Sequence, residues 1–397
     1  MNVTLYQIAQ ADTISLDNLE KIDPFSFDLE IIQQRDFIYE KLAEWSFSED
    51  PFAEIQHRIV GYMEEEKDLN DIFEPMRLLN KPSGTYISAF KDKSILDVKL
   101  LVKVFSTEKP VFPYSGADSL IEGCVGVILN QLRMKINNFA FTYAVFDCGV
   151  PIKKLNGTYQ WCTRRGKKDY VISEYIEHGI ELKRYIVHCT VEILMEILLQ
   201  VACALRYAKI KLNFSHNDLW AKNVLIQKTK SKVKHNLYTP DGLKTISSDV
   251  LAVIIDFGFS SIDIDKRRIG IFHVPETEHL RDCQITEDFH YLIIDLYLKL
   301  KLAYPKELNI PRQGSTEEEV MENYKLRMKQ YDENREKCLK LLETIYKYYS
   351  SDDLASSLRF ASDVRKFRRL PQVKNEMEIF DQIINGMIDM KLVKVSN

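Results

Sequence analysis

The sequence predicts an α+β fold with two lobes, in which a small strand-rich lobe precedes a larger, mainly helical one. Three observations predict it. Short strand-like segments and one helix fall between residues 76 and 176, amphipathic helices dominate residues 177–397, and residues 1–75 show helical spacing ahead of both. A chain of 397 residues can bury a core large enough for two or more such lobes.

The first segment, residues 1–75, is predicted to be an acidic helical extension with turns at Asp23-Pro24 and Asp50-Pro51. It holds 18 Asp and Glu residues against 5 Lys and Arg, a charge of −13 in a chain whose net charge is −4. A solvated face of surface helices explains this charge most simply. The alternative is a surface that attracts a basic peptide.

The strand-rich lobe is predicted to open on a hairpin. "TYISAF" at 85–90 and "VKLLVKVF" at 98–105 are rich in β-branched and aromatic residues and are separated by a polar loop. A helix is predicted over 117–134, and two further strands over 141–147 and 169–176.

The helical lobe is predicted to contain a buried helix over 190–209, because apolar side chains recur there at helical spacing. They are Val191, Leu194, Leu198, Val201 and Leu205. After this helix, the sequence predicts a strand at 224–226, a polar excursion at 227–249 and a strand at 251–255. Helices are predicted at 288–302 and 315–348.

The composition, with 45% apolar and 28% charged residues, is that of a soluble globular protein. The longest apolar run, near 193–205, is interrupted by Glu196 and Gln200, so no membrane span is predicted. The amino terminus lacks the basic and apolar regions of a secretory signal. Seven cysteines stand singly, which favours reduced thiols in an intracellular protein over disulfides or a zinc site.

The stretch "HNDLWAKN" at 216–223 contains candidate catalytic and metal-binding residues. Asp218 is followed by Asn223, and Asp256 opens "DFG" 38 residues beyond Asp218. Phosphoryl transfer from ATP needs a carboxylate to orient the substrate hydroxyl, the role predicted for Asp218. It also needs oxygen ligands for Mg²⁺, predicted to be Asn223 and Asp256. The five-residue spacing of Asp218 and Asn223, followed by Asp-Phe-Gly, is typical of protein kinases and predicts a protein-kinase-like fold.

The grip on the ATP phosphates is assigned to Lys103. This lysine lies in an apolar strand, where an unpaired ammonium would be costly, and Glu122 on the first helix is its predicted partner. Gly84 is the one glycine of the predicted phosphate loop, since Pro82 and Ile87 replace the outer two. Each fragment alone has a simpler explanation, but their order at compatible spacing favours a kinase.

Residues 76–350 resemble haspin, a family of atypical eukaryotic protein kinases, and the resemblance is most specific over 214–300. The resemblance rests on "HNDLWAKNVLIQKTK", on the long gap from Asp218 to Asp256, on the lack of Ala-Pro-Glu after it, and on "EDFHYLIIDLY". It implies that Asp288 anchors the catalytic loop. We predict a structural role for His216, because a single histidine at such a position is more often a buried core residue than a proton carrier.

"YVISEYIEHGIEL" at 170–182 resembles the hinge of that family. The resemblance implies that Ser173 is the gatekeeper, that Glu174 to Ile176 line the adenine edge, and that Glu181 lies near the ribose.

Four departures from the family pattern bear on activity. The outer glycines are absent, and the metal-binding tripeptide is Asp-Phe-Gly. Trp220 stands where many kinases place a lysine two after the catalytic Asp, so Lys222 is predicted to supply that charge. Asn217 replaces the arginine that would bind a phosphorylated activation segment.

The resemblance implies an ATP- and magnesium-dependent serine/threonine kinase of the nucleus and chromosomes. It would phosphorylate a threonine in a basic histone tail during mitosis. We expect a monomer without a nucleic-acid or membrane site. The alternatives are a small-molecule kinase of the choline or fructosamine type, a pseudokinase scaffold, and a helical interaction protein without kinase activity.

Overall fold

The computed structural model divides the chain into two compact units. The first comprises Met1–Glu177 with Asp256–Asp282, and the second His178–Ile255 with Cys283–Asn397. The residues that the structure describes are 73–79, 85–92, 99–105, 115–133, 135–149, 151–156, 159–161, 163–264, 267–270, 285–302, 316–351, 354 and 375–396. The predicted acidic extension therefore lies outside them up to residue 72, and a strand begins at Phe73 where the extension was expected to continue to residue 75.

The first unit is built on a five-stranded antiparallel sheet with the order β1-β2-β3-β7-β4. Its strands are β1 (Phe73–Leu78), β2 (Thr85–Asp92), β3 (Lys99–Phe105), β4 (Thr142–Gly149) and β7 (Thr163–Glu174). In β3 the side chains of Leu100, Val102 and Val104 are buried, and Lys103 projects from the opposite face. This alternation explains how a lysine occurs in an otherwise apolar strand.

Helix α1 (Ser115–Leu129) packs closely against β4, and two glycines permit the approach. A Cβ atom on Gly123 would lie 2.1 Å from a methyl carbon of Val145, and one on Gly126 would lie 2.1 Å from the Thr142 hydroxyl oxygen. Past the helix, the Asn130 amide donates to the Thr142 carbonyl at 2.7 Å and accepts from its N–H at 3.1 Å. The helix position is thereby fixed, and with it Glu122 near its centre.

The second unit is organised around α3 (Val191–Leu212), whose predicted apolar positions are buried. The Thr190 hydroxyl caps its first turn, and Asn213 ends it in the left-handed conformation with φ 48°. Gln200, fully buried, bonds through its amide to the Val250 carbonyl and the Ala252 N–H, both at 3.0 Å. These bonds hold the following strand pair against α3.

The two short strands predicted at 224–226 and 251–255 continue into the polar excursion predicted at 227–249. The structure forms one long antiparallel hairpin there, from β9 (Val224–Thr239) and β10 (Gly242–Ile254). Many of its side chains are exposed and polar, so the apolar periodicity that marks a strand in sequence is missing.

The remaining described elements are mostly short or helical. In the first unit they are β5 (Ile152–Lys153), β6 (Tyr159–Gln160), β11 (Ser261–Ile264) and β12 (Arg267–Gly270). In the second they are β8 (Ile180–Glu181), α2 (Leu182–Tyr185), α4 (Ile285–Leu302), α5 (Glu317–Tyr346), α6 (Glu376–Asp389) and β13 (Val395–Ser396). Among the described helices, none is both long and apolar enough to cross a membrane.

An aromatic cluster joins α4 to the end of α5. The ring of His290, which is 3% exposed, lies within 6 Å of the ring centroids of Tyr291, Tyr346 and Tyr349. Its Nδ1 atom is buried and has no hydrogen-bond partner among the described residues. Burial lowers the pKa of His290 to about 4 from an ordinary value of 6.5.

We expect His290 to make the fold acid-sensitive. Between pH 6.5 and 4 the unfolded chain binds a proton that the folded chain does not, so the free energy of unfolding should fall as the pH falls, by about 3 kcal/mol in all. His290→Phe should flatten that slope while preserving stability near pH 7.5, as measured by urea unfolding across the pH range. An unchanged slope in the variant would contradict this assignment.

Candidate active site

In the first unit, three predicted site residues come together at Lys103. Its Nζ atom lies 2.6 Å from Glu122 Oε2 and 2.8 Å from Asp256 Oδ1. The predicted Lys103–Glu122 ion pair is confirmed. The Lys103 and Glu122 side chains are 15% and 11% exposed, whereas Asp256 is 39% exposed. Asp256 is therefore the member of this triad that is most open to solvent.

Burial and charge oppose each other in this triad. Burial by itself would lower the pKa of Lys103, but the carboxylates of Glu122 and Asp256 outweigh it and raise that pKa, so Lys103 stays charged. Burial raises the pKa of Glu122 to about 7, with Lys103 opposing the rise and Asp256 adding to it. Lys103 is thus a buried ammonium held between two carboxylates, and a phosphate oxygen can take the place of one of them.

The backbone at Asp256 is in the left-handed region, with φ 68°. This conformation is costly for most residues, although Asp and Asn tolerate it better than others. Strain of this kind is common at functional sites. At Asp256 this backbone conformation accompanies the ion pair between its carboxylate and Lys103.

In the second unit, Asp218 is the centre of a second cluster. The Asn223 amide nitrogen donates to the Asp218 carbonyl at 2.7 Å and to its Oδ2 at 3.1 Å. The indole N–H of Trp220 donates to Oδ1, and Lys222 Nζ lies 3.7 Å from Oδ2. The Asp218 carboxylate is 22% exposed, so these groups fix its orientation and leave it accessible.

His216 has the structural role that the sequence predicts. It is fully buried, its Nδ1 accepts the Asp218 backbone N–H at 3.3 Å, and its Nε2 lies 3.0 Å from the Ile255 carbonyl. A carbonyl can only accept, so the proton is on Nε2 and the imidazole is neutral. His216 therefore holds the loop and does not move a proton.

Helix α4 anchors the catalytic loop at two points. The Asp288 carboxylate accepts the backbone N–H groups of His216 and Asn217, each at 2.7 Å. One carboxylate oxygen of Asp295, two turns further along the helix, accepts from Ala221 N–H at 3.0 Å. The anchoring contact predicted for Asp288 is confirmed, and burial raises its pKa to about 8 against the pull of the two donors.

Asn217 has a conformational reason to be asparagine. Its φ is 64°, in the left-handed region, where Asn is several-fold enriched among non-glycine residues.

The central part of the chain, residues 138–262, matches the family model for protein tyrosine and serine/threonine kinases. This part of the chain is similar to protein kinases. The match includes Asp218, Asn223 and Asp256, and it supports a phosphotransferase. The fold is kinase-like, with β-sheet in the N-terminal region and helices in the C-terminal region.

One solved crystal structure, the kinase domain of PF14_0431, is similar over 83% of this chain and 97% of its own length. The sequence identity is 16% and the TM-score 0.41. No curated protein matches the sequence.

Each unit offers an oxygen donor of the kind that the magnesium ion of a kinase requires. The amide nitrogen of Asn223 is committed to Asp218, so the oxygen is the atom it can offer to a metal. Asp256 supplies a partly exposed carboxylate. Mg²⁺ prefers such oxygen ligands and takes its other ligands from water and substrate phosphates. Within the described residues no three His, Cys, Asp or Glu side chains form a closed metal site.

The predicted nucleotide-binding residues are distributed over both units. Glu174 ends β7 beside β3, and its carboxylate pairs with Arg133 at 2.9 Å. Ile176 is buried. In the second unit, the partly exposed Glu181 lies 3.3 Å from Arg184. Gly84 lies outside the described residues. The nucleotide-binding roles of these residues stay predictions.

Trp220 has a role that the sequence did not reveal. Besides bonding to Asp218, its ring packs on Tyr291 with centroids 5.2 Å apart, and the Tyr291 hydroxyl donates to Glu287 at 3.0 Å. The aromatic residue that replaces the usual lysine thus bonds to the predicted catalytic carboxylate itself. The sequence signal was its position two after Asp218.

We expect Trp220→Phe to lower kcat about tenfold, because the ring is kept while the N–H that orients Asp218 is lost. KM for ATP should stay within about twofold, since the loss concerns the carboxylate in the transition state. Tyr291→Phe, which keeps both rings, is the control and should leave kcat unchanged. A full-rate Trp220→Phe enzyme would mean that the bond does not serve catalysis.

Proposed function

We propose that this protein is an ATP- and Mg²⁺-dependent serine/threonine protein kinase of haspin type, which phosphorylates a threonine in a basic histone tail. The observation that carries the kinase proposal is the pair of charged clusters, Lys103–Glu122–Asp256 and Asp218–Asn223. A pseudokinase scaffold has no need of them. Their retention favours an active enzyme.

The haspin type is supported by the sequence between the two key aspartates. The residues that separate Asp218 from Asp256 form the β9–β10 hairpin, which fits the long insertion that the resemblance implies. The nuclear site, the mitotic role and the monomeric state belong to this proposal. The −13 charge of residues 1–75 suits a basic substrate.

The mechanism assigns each group one task. Lys103 neutralises charge on the ATP phosphates and is held for that by Glu122. Asp218 orients the threonine hydroxyl, whose oxygen attacks the γ-phosphorus while the bond to the β,γ-bridging oxygen breaks and ADP leaves. The hydroxyl proton passes to the Asp218 carboxylate. Bound Mg²⁺, held by Asn223 and Asp256, would neutralise phosphate charge.

Lys222 is proposed as the cation that replaces the missing lysine at position 220. Its ammonium lies beside the Asp218 carboxylate and is about half exposed, so it can turn toward a phosphate. Its transition-state role rests on this proximity.

A side-by-side transfer assay tests the function. The purified full chain is given radiolabelled ATP and Mg²⁺ with a basic histone-tail peptide, with casein, or with choline. We expect threonine labelling of the tail peptide and none after Asp218→Asn. Labelling of choline alone would establish a small-molecule kinase, and tyrosine labelling would overturn the serine/threonine assignment. No transfer to any acceptor would favour a scaffold.

A further inference from the structure

The β9–β10 hairpin contains a bulge that pushes part of β9 out of regular pairing. Lys228 pairs with Val250, and Val233 pairs with Ser248. The four residues 229–232 therefore face the single residue Asp249. The Thr229 hydroxyl donates to the Ser231 carbonyl at 2.7 Å and stabilises this bulged segment. Bulges of this kind re-aim side chains away from the sheet.

Four lysines mark the bulge and its flanks at alternate positions, and we call them the lysine row: Lys228, Lys230, Lys232 and Lys234. All four are exposed. Lys228 lies over the Tyr185 ring at 5.2 Å. In the described part of the chain the other three form no ion pair. Their charge is thus available to a partner.

The hairpin is basic in a chain that is acidic overall. Residues 224–254 contain five lysines against two aspartates, whereas the whole chain has a net charge of −4. One of these aspartates, Asp241, is paired with the fifth lysine, Lys244, at 3.0 Å. The positive charge is concentrated in the lysine row.

The chemistry and the length of the row fit the phosphates of a nucleic-acid strand. Lysine is a point charge that can bind a phosphate from many directions, which suits a contact that does not depend on sequence. The exposed Ser231 hydroxyl between the lysines can donate to a phosphate oxygen. Seven extended residues span at most about 24 Å, the rise of about seven phosphates on one strand.

We propose that the lysine row is a sequence-independent binding site for the phosphate backbone of duplex nucleic acid. This departs from the expectation of no nucleic-acid site, because the sequence presented 227–249 only as a polar excursion. The row goes beyond the kinase proposal and is tested without any phosphoryl transfer. Such a site would keep the enzyme near a nucleic-acid-bound substrate.

Fluorescence anisotropy with a labelled 20-base-pair duplex of arbitrary sequence tests the site, with KCl varied from 50 to 200 mM. Four lysines on phosphates contribute a slope of about −3.6 to log K against log salt. Replacing all four of the row by Gln should remove about three units of that slope and weaken binding at least tenfold at 50 mM. The four Lys→Arg changes should preserve binding, because they keep the charge.

A matched control separates the row from overall charge. Helix α5 carries four exposed lysines, and their replacement by Gln changes the net charge equally: Lys325, Lys329, Lys337 and Lys340. That variant should keep its slope to within about one unit. Equal losses in the two variants, no duplex binding by the wild type, or preferential binding to poly-glutamate or to anionic vesicles would each overturn the proposal.

Discussion

Asp256→Asn is expected to lower kcat by about 10²–10³-fold, the scale for losing one preorganised charged group at a transferring phosphate. The amide keeps an oxygen that can face Lys103, now 2.8 Å from Oδ1, but it lacks the charge that we propose to hold Mg²⁺. The Mg²⁺ concentration needed for half-maximal binding of a fluorescent ATP analogue should rise accordingly. This binding measurement does not depend on turnover.

The chain offers a matched control for this substitution. Asp263 has nearly the same exposure as Asp256, 37% against 39%, and pairs with Arg268 at 3.1 Å. Asp263→Asn removes the same charge and should preserve activity and Mg²⁺ dependence. If Asp256→Asn kept kcat within a few-fold of wild type, the metal assignment would be wrong.

Most of the core elements could be predicted because their buried positions are periodic. The apolar positions of α3 recur at helical spacing, and β3 carries a run of β-branched and aliphatic residues. The β9–β10 hairpin could not be predicted in the same way. Its strands pair through the backbone while many of their side chains face water, so the hydrogen-bond register stabilises them without leaving an apolar pattern.

The site was predictable where charge and spacing alone determine a partner. Lys103 in an apolar strand requires a carboxylate, and Glu122 supplies it. The role of Trp220 was not predictable, because it depends on a side-chain direction set by Tyr291, which lies 71 residues later. The anchor at Asp295 was missed for the same reason, although its spacing of seven from Asp288 places both on one face of α4.

Asp218→Asn is expected to have the largest effect on activity, a loss of about 10²–10⁴ in kcat, because it removes the carboxylate that we propose to orient the hydroxyl and receive its proton. The amide also places an N–H group against the Trp220 indole or the Asn223 amide, both of which donate to Asp218. One of those bonds must break. The thermal midpoint should change little, since the Asp218 backbone contacts to His216 and Asn223 remain.

The decisive comparison for Asp218→Asn is between the rate of phosphoryl transfer and the affinity for ATP. ATP affinity should stay within about twofold while single-turnover transfer to the tail peptide is lost, because Asp218 acts on the acceptor. Asp241→Asn, an exposed aspartate on the hairpin, is the matched control and should transfer at the wild-type rate. Transfer by Asp218→Asn within tenfold of wild type would show that another group receives the proton. If that variant also bound ATP normally, the hydrogen bonds that Trp220 and Asn223 donate to Asp218 would have only a structural role.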